Sequence, residues 1–129
     1  MLINFSNHPL ETWSQNQLDD ARAKFGGIVD IPFPDVPPEA DLDRILPAVE
    51  KYVGICTEKL KEYESNSGSN AIHVMGEMTF IYHFVQSMSE SGVLCVASTS
   101  KRIIVNEENN QKTTKFEFVR FRPYTTDLF

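Results

Sequence analysis

Apolar residues follow two rhythms along this chain, short solid runs and longer periodic stripes. Residues 1–6 (MLINFS) form a solid run, which Asn7, His8 and Pro9 break. Across 11–25, Trp13, Leu18, Ala21 and Phe25 recur at helical spacing, and Gly26-Gly27 supplies a C-terminal stop. Ile28-Val29-Asp30-Ile31 predicts a second strand, closed by Pro32, Pro34, Pro37 and Pro38. That bend has polyproline character and reads as a loop, because neither side is large enough to fold alone. From Asp41 onward, Leu42, Ile45, Leu46, Val49, Val53, Cys56, Leu60 and Tyr63 make one apolar stripe. Pro47 either starts the main helix after a preliminary turn or kinks it.

After the polar connection 65–70, the pattern predicts a third strand at 71–75 and a helix over 77–90 with Ile81, Phe84, Val85 and Met88 inward. A fourth strand follows at 93–97, then a hairpin over 103–122 whose turn is 107–112. Strand and helix alternate, which is the signature of right-handed βαβ units. The expected fold is therefore a single α/β domain over 1–129, a Rossmann-like, open, mostly parallel sheet flanked by helices, with the C-terminal hairpin on one edge. In such sheets ligands bind beyond the carboxyl ends of the strands, at the topological switch point. Three polar segments are expected there: Ser6-Asn7-His8, Gly76-Glu77-Met78-Thr79 and Ser98-Thr99-Ser100-Lys101-Arg102.

Composition narrows the function. A length of 129 residues suits one core, and 41% hydrophobic with 23% charged residues excludes disorder as the default. The net charge of −6 argues against a broad nucleic-acid surface, so double-stranded nucleic acid is not an expected partner, though a local basic pocket remains open. No run is long enough for a membrane span, and 1–5 is too short for a signal-peptide core. Cys56 and Cys95 lie in apolar segments without CxxC spacing, as reduced core residues of a cytoplasmic protein do.

The candidate chemistry lies in the three polar segments. A helix N-terminus after Gly76 offers free N–H groups to a phosphate, with Thr79 adding a hydroxyl. Glu77 either complements the helix dipole there or accepts from a ribose hydroxyl and serves as a base. Ser98, Thr99 and Ser100 with Lys101 and Arg102 would wrap an anion if they formed a connection after the fourth strand. His8 is a candidate acid or base, whereas His73, mid-strand, and His83, mid-helix, read as structural. Period two puts Arg120 and Arg122 on one strand face, and Val119 and Phe121 on the other. No zinc-type spacing appears, and no Ser–His–Asp set can be assigned.

The strand LINFSNHPL, then HVMGEMTFIY, GVLCVASTSKR and FEFVRFRPY, taken in this order, resemble the small Rossmann-like CRISPR-associated proteins of type III systems, relatives of the CARF sensor domains. The likeness runs from Leu2 to Tyr124. In that family an acid follows the strand-three glycine and a Thr/Ser-Lys-Arg cluster follows strand four, which Glu77 and Ser100-Lys101-Arg102 match. Met78 stands where the family has a small residue. The resemblance implies a ring nuclease that cleaves cyclic oligoadenylate, cyclic tetra-adenylate in particular, across the twofold axis of a homodimer. Together with the reading of the strand ends, it makes His8, Glu77 and Lys101 the candidate catalytic residues. Ser6, Asn7, Gly76, Thr79, Ser98 and Thr99, from their place at that edge of the sheet, and Ser100 and Arg102, which also match the family cluster, are the candidate ligand-binding residues. No cofactor and no metal is implied, although Glu77 could ligate one. Two alternatives remain open: a non-catalytic sensor or sponge for the same nucleotide, and a small α/β interaction subunit.

Overall fold

A strand covered on both faces needs no polar alternation, and the solid run at the start of the chain is such a strand. In the computed structural model, which describes residues 1–65, 69–108 and 111–126 (for 105–108 the backbone only), β1 (Leu2–Ser6) is buried at every position. It is flanked by β2 (Ile28–Pro32) and β3 (Ala71–Met75), both parallel to it. β4 (Leu94–Glu108) continues the sheet in parallel, and β5 (Gln111–Pro123) closes it antiparallel, giving the order β2-β1-β3-β4-β5. The fold is thus α/β, with a mostly parallel sheet, three helices and a β4–β5 hairpin at one edge.

The chain steps from β1 outward to β2, then returns past β1 to β3. The switch point therefore lies between the carboxyl ends of β1 and β3, at Ser6 and Met75. Helix α1 (Gln15–Phe25) covers one face, with Leu2, Ala71, Val96 and Phe121 packed against Trp13, Ala21 and Phe25. Helices α2 (Leu42–Lys61) and α3 (Met78–Glu90) cover the other, over Ile3, Phe5, Ile72 and Val74. Phe80 and Phe84 of α3 converge on Phe5, their ring centroids 6.0 and 4.9 Å away.

Some details differ from expectation. The helix expected over 11–25 is interrupted: Leu10–Thr12 is a 3-10 turn, and Ser14 caps α1 by accepting from Gln17 N. Its C-terminal end is as expected, at Gly26, whose φ of 91° only glycine adopts freely. Pro47 does not start the main helix but lies inside α2, which begins at Leu42.

The fourth strand does not stop at 97. It runs to Glu108, so residues 98–102 are strand, held by β5 from Ser98↔Phe121 to Arg102↔Phe116. The turn expected at 107–112 begins and ends in paired strand, and its centre, 109–110, lies outside the described residues. A register shift opposite Thr99/Ser100 leaves Val119 as the extra residue in β5, and the bulge breaks the expected alternation. Phe118 and Phe121 consequently meet on the α1 side, 5.0 Å apart, while Val119 is exposed.

Phe121 packs against Trp13, Phe25 and Phe118, whereas Phe116 is 68% exposed. Phe121→Ala is expected to cost about 3–5 kcal/mol and Phe116→Ala about 0.5 kcal/mol or less, read from urea denaturation midpoints.

Candidate functional site

On the α1 side, period two brings polar residues inward at the carboxyl half of the sheet: Asn4 and Ser6 from β1, His73 from β3 and Ser98 from β4. Asn4, Ser6 and His73 are buried, so each polar atom needs a partner. The Asn4 amide Nδ2 donates to Asp30 Oδ1 on β2 and to the His8 carbonyl, both at 2.8 Å. Both of these partners can only accept, which fixes the amide orientation and turns Oδ1 toward Ser6 Oγ (2.7 Å) and His73 Nδ1 (2.8 Å). His73 Nδ1 must then carry the proton, leaving Nε2 with a free lone pair 3.1 Å from Ser98 Oγ.

Ser98 has one hydroxyl proton and two neighbours that could take it, His73 Nε2 and Met75 Sδ at 3.0 Å. A thioether is a weak acceptor, so the imidazole receives it. Trp13 and Phe121 wall the imidazole at ring distances of 5.1 and 5.7 Å. Burial, and secondarily the nearby His8 imidazole, lowers the His73 pKa to about 4. The ring is therefore neutral near pH 7.

Ser98 is half-buried and opens into a cleft of about 250 Å³ lined by His8, Trp13, Gln17, Ser98, Ser100 and Phe116, among others. The His8 backbone is pinned: its carbonyl accepts from Asn4 and the Trp13 indole Nε1 (2.9 Å), and its N–H donates to Ser6 Oγ. The cleft thus joins His8, Ser98, Thr99 and Ser100, with Ser6 buried behind them. Sequence reasoning missed His73 and Asn4 as partners of Ser98. The available signal was three polar residues, Asn4, Ser6 and His73, at inward positions of otherwise apolar strands.

The other expected residues lie outside this cleft. Glu77 is the N-cap of α3, its carboxylate accepting from Thr79 N (3.1 Å) and Phe80 N (2.8 Å). Those bonds lower its pKa, the Phe80 N–H foremost, so Glu77 occupies the helix N-terminus that was expected to receive a phosphate. Gly76 is required by a neighbour rather than a ligand, since a Cβ there would lie 2.6 Å from the Phe33 ring. Asn7 is exposed and donates its N–H to the Met75 carbonyl.

Strand geometry also corrects the expected anion-wrapping connection. Successive residues face opposite ways, so Lys101 points away from the face of Ser98, Ser100 and Arg102. Thr99 Oγ1 donates to the Arg120 carbonyl, and Arg102 Nη2 reaches Thr114 Oγ1 at 3.5 Å. Cys56 and Cys95 are free and buried, their thiols pushed up to about 12 by that burial. Among the described residues no group of three His, Cys, Asp or Glu side chains is arranged to hold a metal, and no helix is long and apolar enough to cross a membrane.

Comparison with known proteins places residues 1–122 within a family model described as "Uncharacterized protein MJ1673 family". No curated protein and no solved structure matches the chain.

Two outcomes follow from these contacts. A folded-state His73 pKa below the unfolded value means the unfolded chain binds more protons as pH falls from 6.5 toward 4, so stability falls with it. Between pH 7 and pH 5 the wild type should lose about 2 kcal/mol more than His73→Gln in urea titrations. Gly76→Ala should destabilise by about 1–3 kcal/mol through overpacking on Phe33, and Phe33→Leu in the same chain should recover part of it.

Proposed function

We propose that this chain, which belongs to the MJ1673 family over residues 1–122, binds cyclic oligoadenylate at a homodimer interface in the cytoplasm and cleaves it. The ring of four adenylates is the preferred substrate. The observation that carries this reading is the cleft at the switch point, where hydroxyl donors, His8 and exposed aromatic surface meet on a chain of net charge −6.

Phe116 and Phe118 offer faces on which a base stacks without regard to sequence. Arg102, two residues along the strand from Ser100, supplies positive charge to the same face for phosphate oxygens. Phe116, at the cleft, and Val119, further along β5, are exposed apolar side chains that a second copy would cover. Duplication about a twofold axis sets two cationic hairpins around one ring of phosphates, concentrating positive charge that a single copy lacks.

The reaction this arrangement suits is attack by a ribose 2′-hydroxyl on its adjacent phosphorus, giving linear products ending in a 2′,3′-cyclic phosphate. It needs in-line positioning and stabilisation of developing charge more than an unusual nucleophile. Ser100 and Arg102 supply directed donors, and His8 is an exposed imidazole within the cleft. A second reading, binding without cleavage, is favoured by one observation: the Glu77 carboxylate is already engaged by its own helix.

Cyclic tetra-adenylate is expected to raise the melting temperature, as any ligand selective for the folded state does. Arg102→Ala should weaken its binding more than tenfold, equivalent to about 1.4 kcal/mol, whereas Lys101→Ala, on the opposite face of the strand, should change it less. Unchanged affinity in Arg102→Ala removes the hairpin cation from the site, absence of any nucleotide binding leaves only the interaction-subunit reading, and binding of labelled nucleotide without turnover leaves only the sensor.

A further inference from the structure

We infer that Ser98 is an activated hydroxyl, backed by His73 and Asn4, which takes the proton from the attacking 2′-hydroxyl. The substrate in this inference rests on the cyclic-nucleotide reading, whereas the activation of Ser98 rests on geometry alone. Three contacts define it: Ser98 Oγ to His73 Nε2 at 3.1 Å, His73 Nδ1 to Asn4 Oδ1 at 2.8 Å, and Asn4 Nδ2 to Asp30 Oδ1 at 2.8 Å. A hydroxyl beside an imidazole whose far nitrogen is held by a third group is the arrangement that activates serine for proton transfer or attack.

The relay has a wet end and a dry middle. Ser98 faces the cleft, while His73 is 0% exposed and cannot meet a substrate itself. His73 is thus a positioning and proton-holding residue, and Ser98 is the catalytic one. Buried core polar groups often serve only to satisfy one another, but a closed network would have no reason to end at a hydroxyl opening into the cleft.

In the step, the 2′-hydroxyl proton passes to Ser98 Oγ as the Ser98 proton passes to His73 Nε2. The 2′-oxygen bonds to phosphorus and the bond from phosphorus to the 5′-oxygen breaks. That oxygen leaves with the electron pair and takes a proton from water. His73, now cationic, returns its proton through Ser98 to solvent.

The groups packed around His73 from β1, β4, β5 and the segment before α1 are Asn4, Ser98, Phe121 and Trp13, all uncharged. His8 is the titratable group that acts on it, since a positive charge there disfavours one on His73. A phosphodiester bound in the cleft opposes that charge and raises the basicity of the imidazole when the proton must be accepted.

The test uses the full chain with labelled cyclic tetra-adenylate and two variants. Ser98→Ala removes a half-exposed hydroxyl, and His73→Gln keeps a hydrogen-bonding side chain that cannot hold the proton. Cleavage is expected to fall at least tenfold in both while the nucleotide Kd stays within threefold. A smaller fall in either folded variant overturns the relay and leaves the nucleotide reading standing.

If the wild type fails to bind or to cleave, that reading falls instead, and diisopropyl fluorophosphate decides the relay. Serine oxygen bonds to phosphorus with loss of fluoride, and mass spectrometry locates the adduct. Modification of Ser98 that slows at least tenfold in His73→Gln upholds the relay; an unmodified Ser98, or one modified equally fast in both, overturns it.

Discussion

One buried amide organises this molecule. Asn4 uses both donor hydrogens and accepts two bonds, and its four partners lie on β2, in the segment after β1, on β1 itself and on β3. An unmet polar atom at that depth costs about 1–3 kcal/mol, so its neighbours are as constrained as it is. Asp30 must face the α1 side, the chain must return so that His8 presents its carbonyl, and His73 must present a protonated Nδ1. An aspartate at position 4 would keep the acceptors but lose the donors to Asp30 and His8. A leucine would leave His73 and Ser6 unmatched.

The consequences spread outward from the amide. With the His8 carbonyl fixed, the Trp13 indole bonds to it and the Trp13 ring closes over His73. The 3-10 turn between them is the path the backbone takes to make both contacts, while Leu10 N also reaches Asp30. The tautomer chosen at Asn4 is transmitted to Ser98, two strands away. A structural requirement at the centre of the sheet thereby sets the chemical character of a hydroxyl at its rim.

Much of the architecture was legible in the sequence because burial on both faces leaves an unmistakable mark. LINFS and AIHVM are solid runs, the stripe from Ile45 to Cys56 is periodic, and Gly26 ends its helix where expected. The strand β4 was not legible past residue 97, since Ser98 to Arg102 is polar and its extension depends on pairing with β5, a contact made across the sequence. The bulge at Val119 is equally invisible locally, and it brings Phe118 to the same side as Phe121. Of the candidate site, Ser98 and His8 were found from their place at strand ends. His73 was set aside as structural because position within a strand reports burial but not the partner across it. Glu77 resembled a ligand-binding acid, and capping its own helix is what a first-turn acid does most cheaply.

The long hairpin and the buried relay differ in how far apart their partners are along the chain. β4 pairs with β5 around a short connection, whereas Asn4 and His73 are 69 residues apart and Ser98 lies 25 beyond His73. Contacts between distant segments form late because the loop entropy must be lost before they are made. The ribbon can zip up early by itself, and the hydroxyl it carries becomes reactive only when the N-terminal strand inserts between its neighbours. Chemical competence therefore arrives with the completed fold, and partly folded chains remain inert.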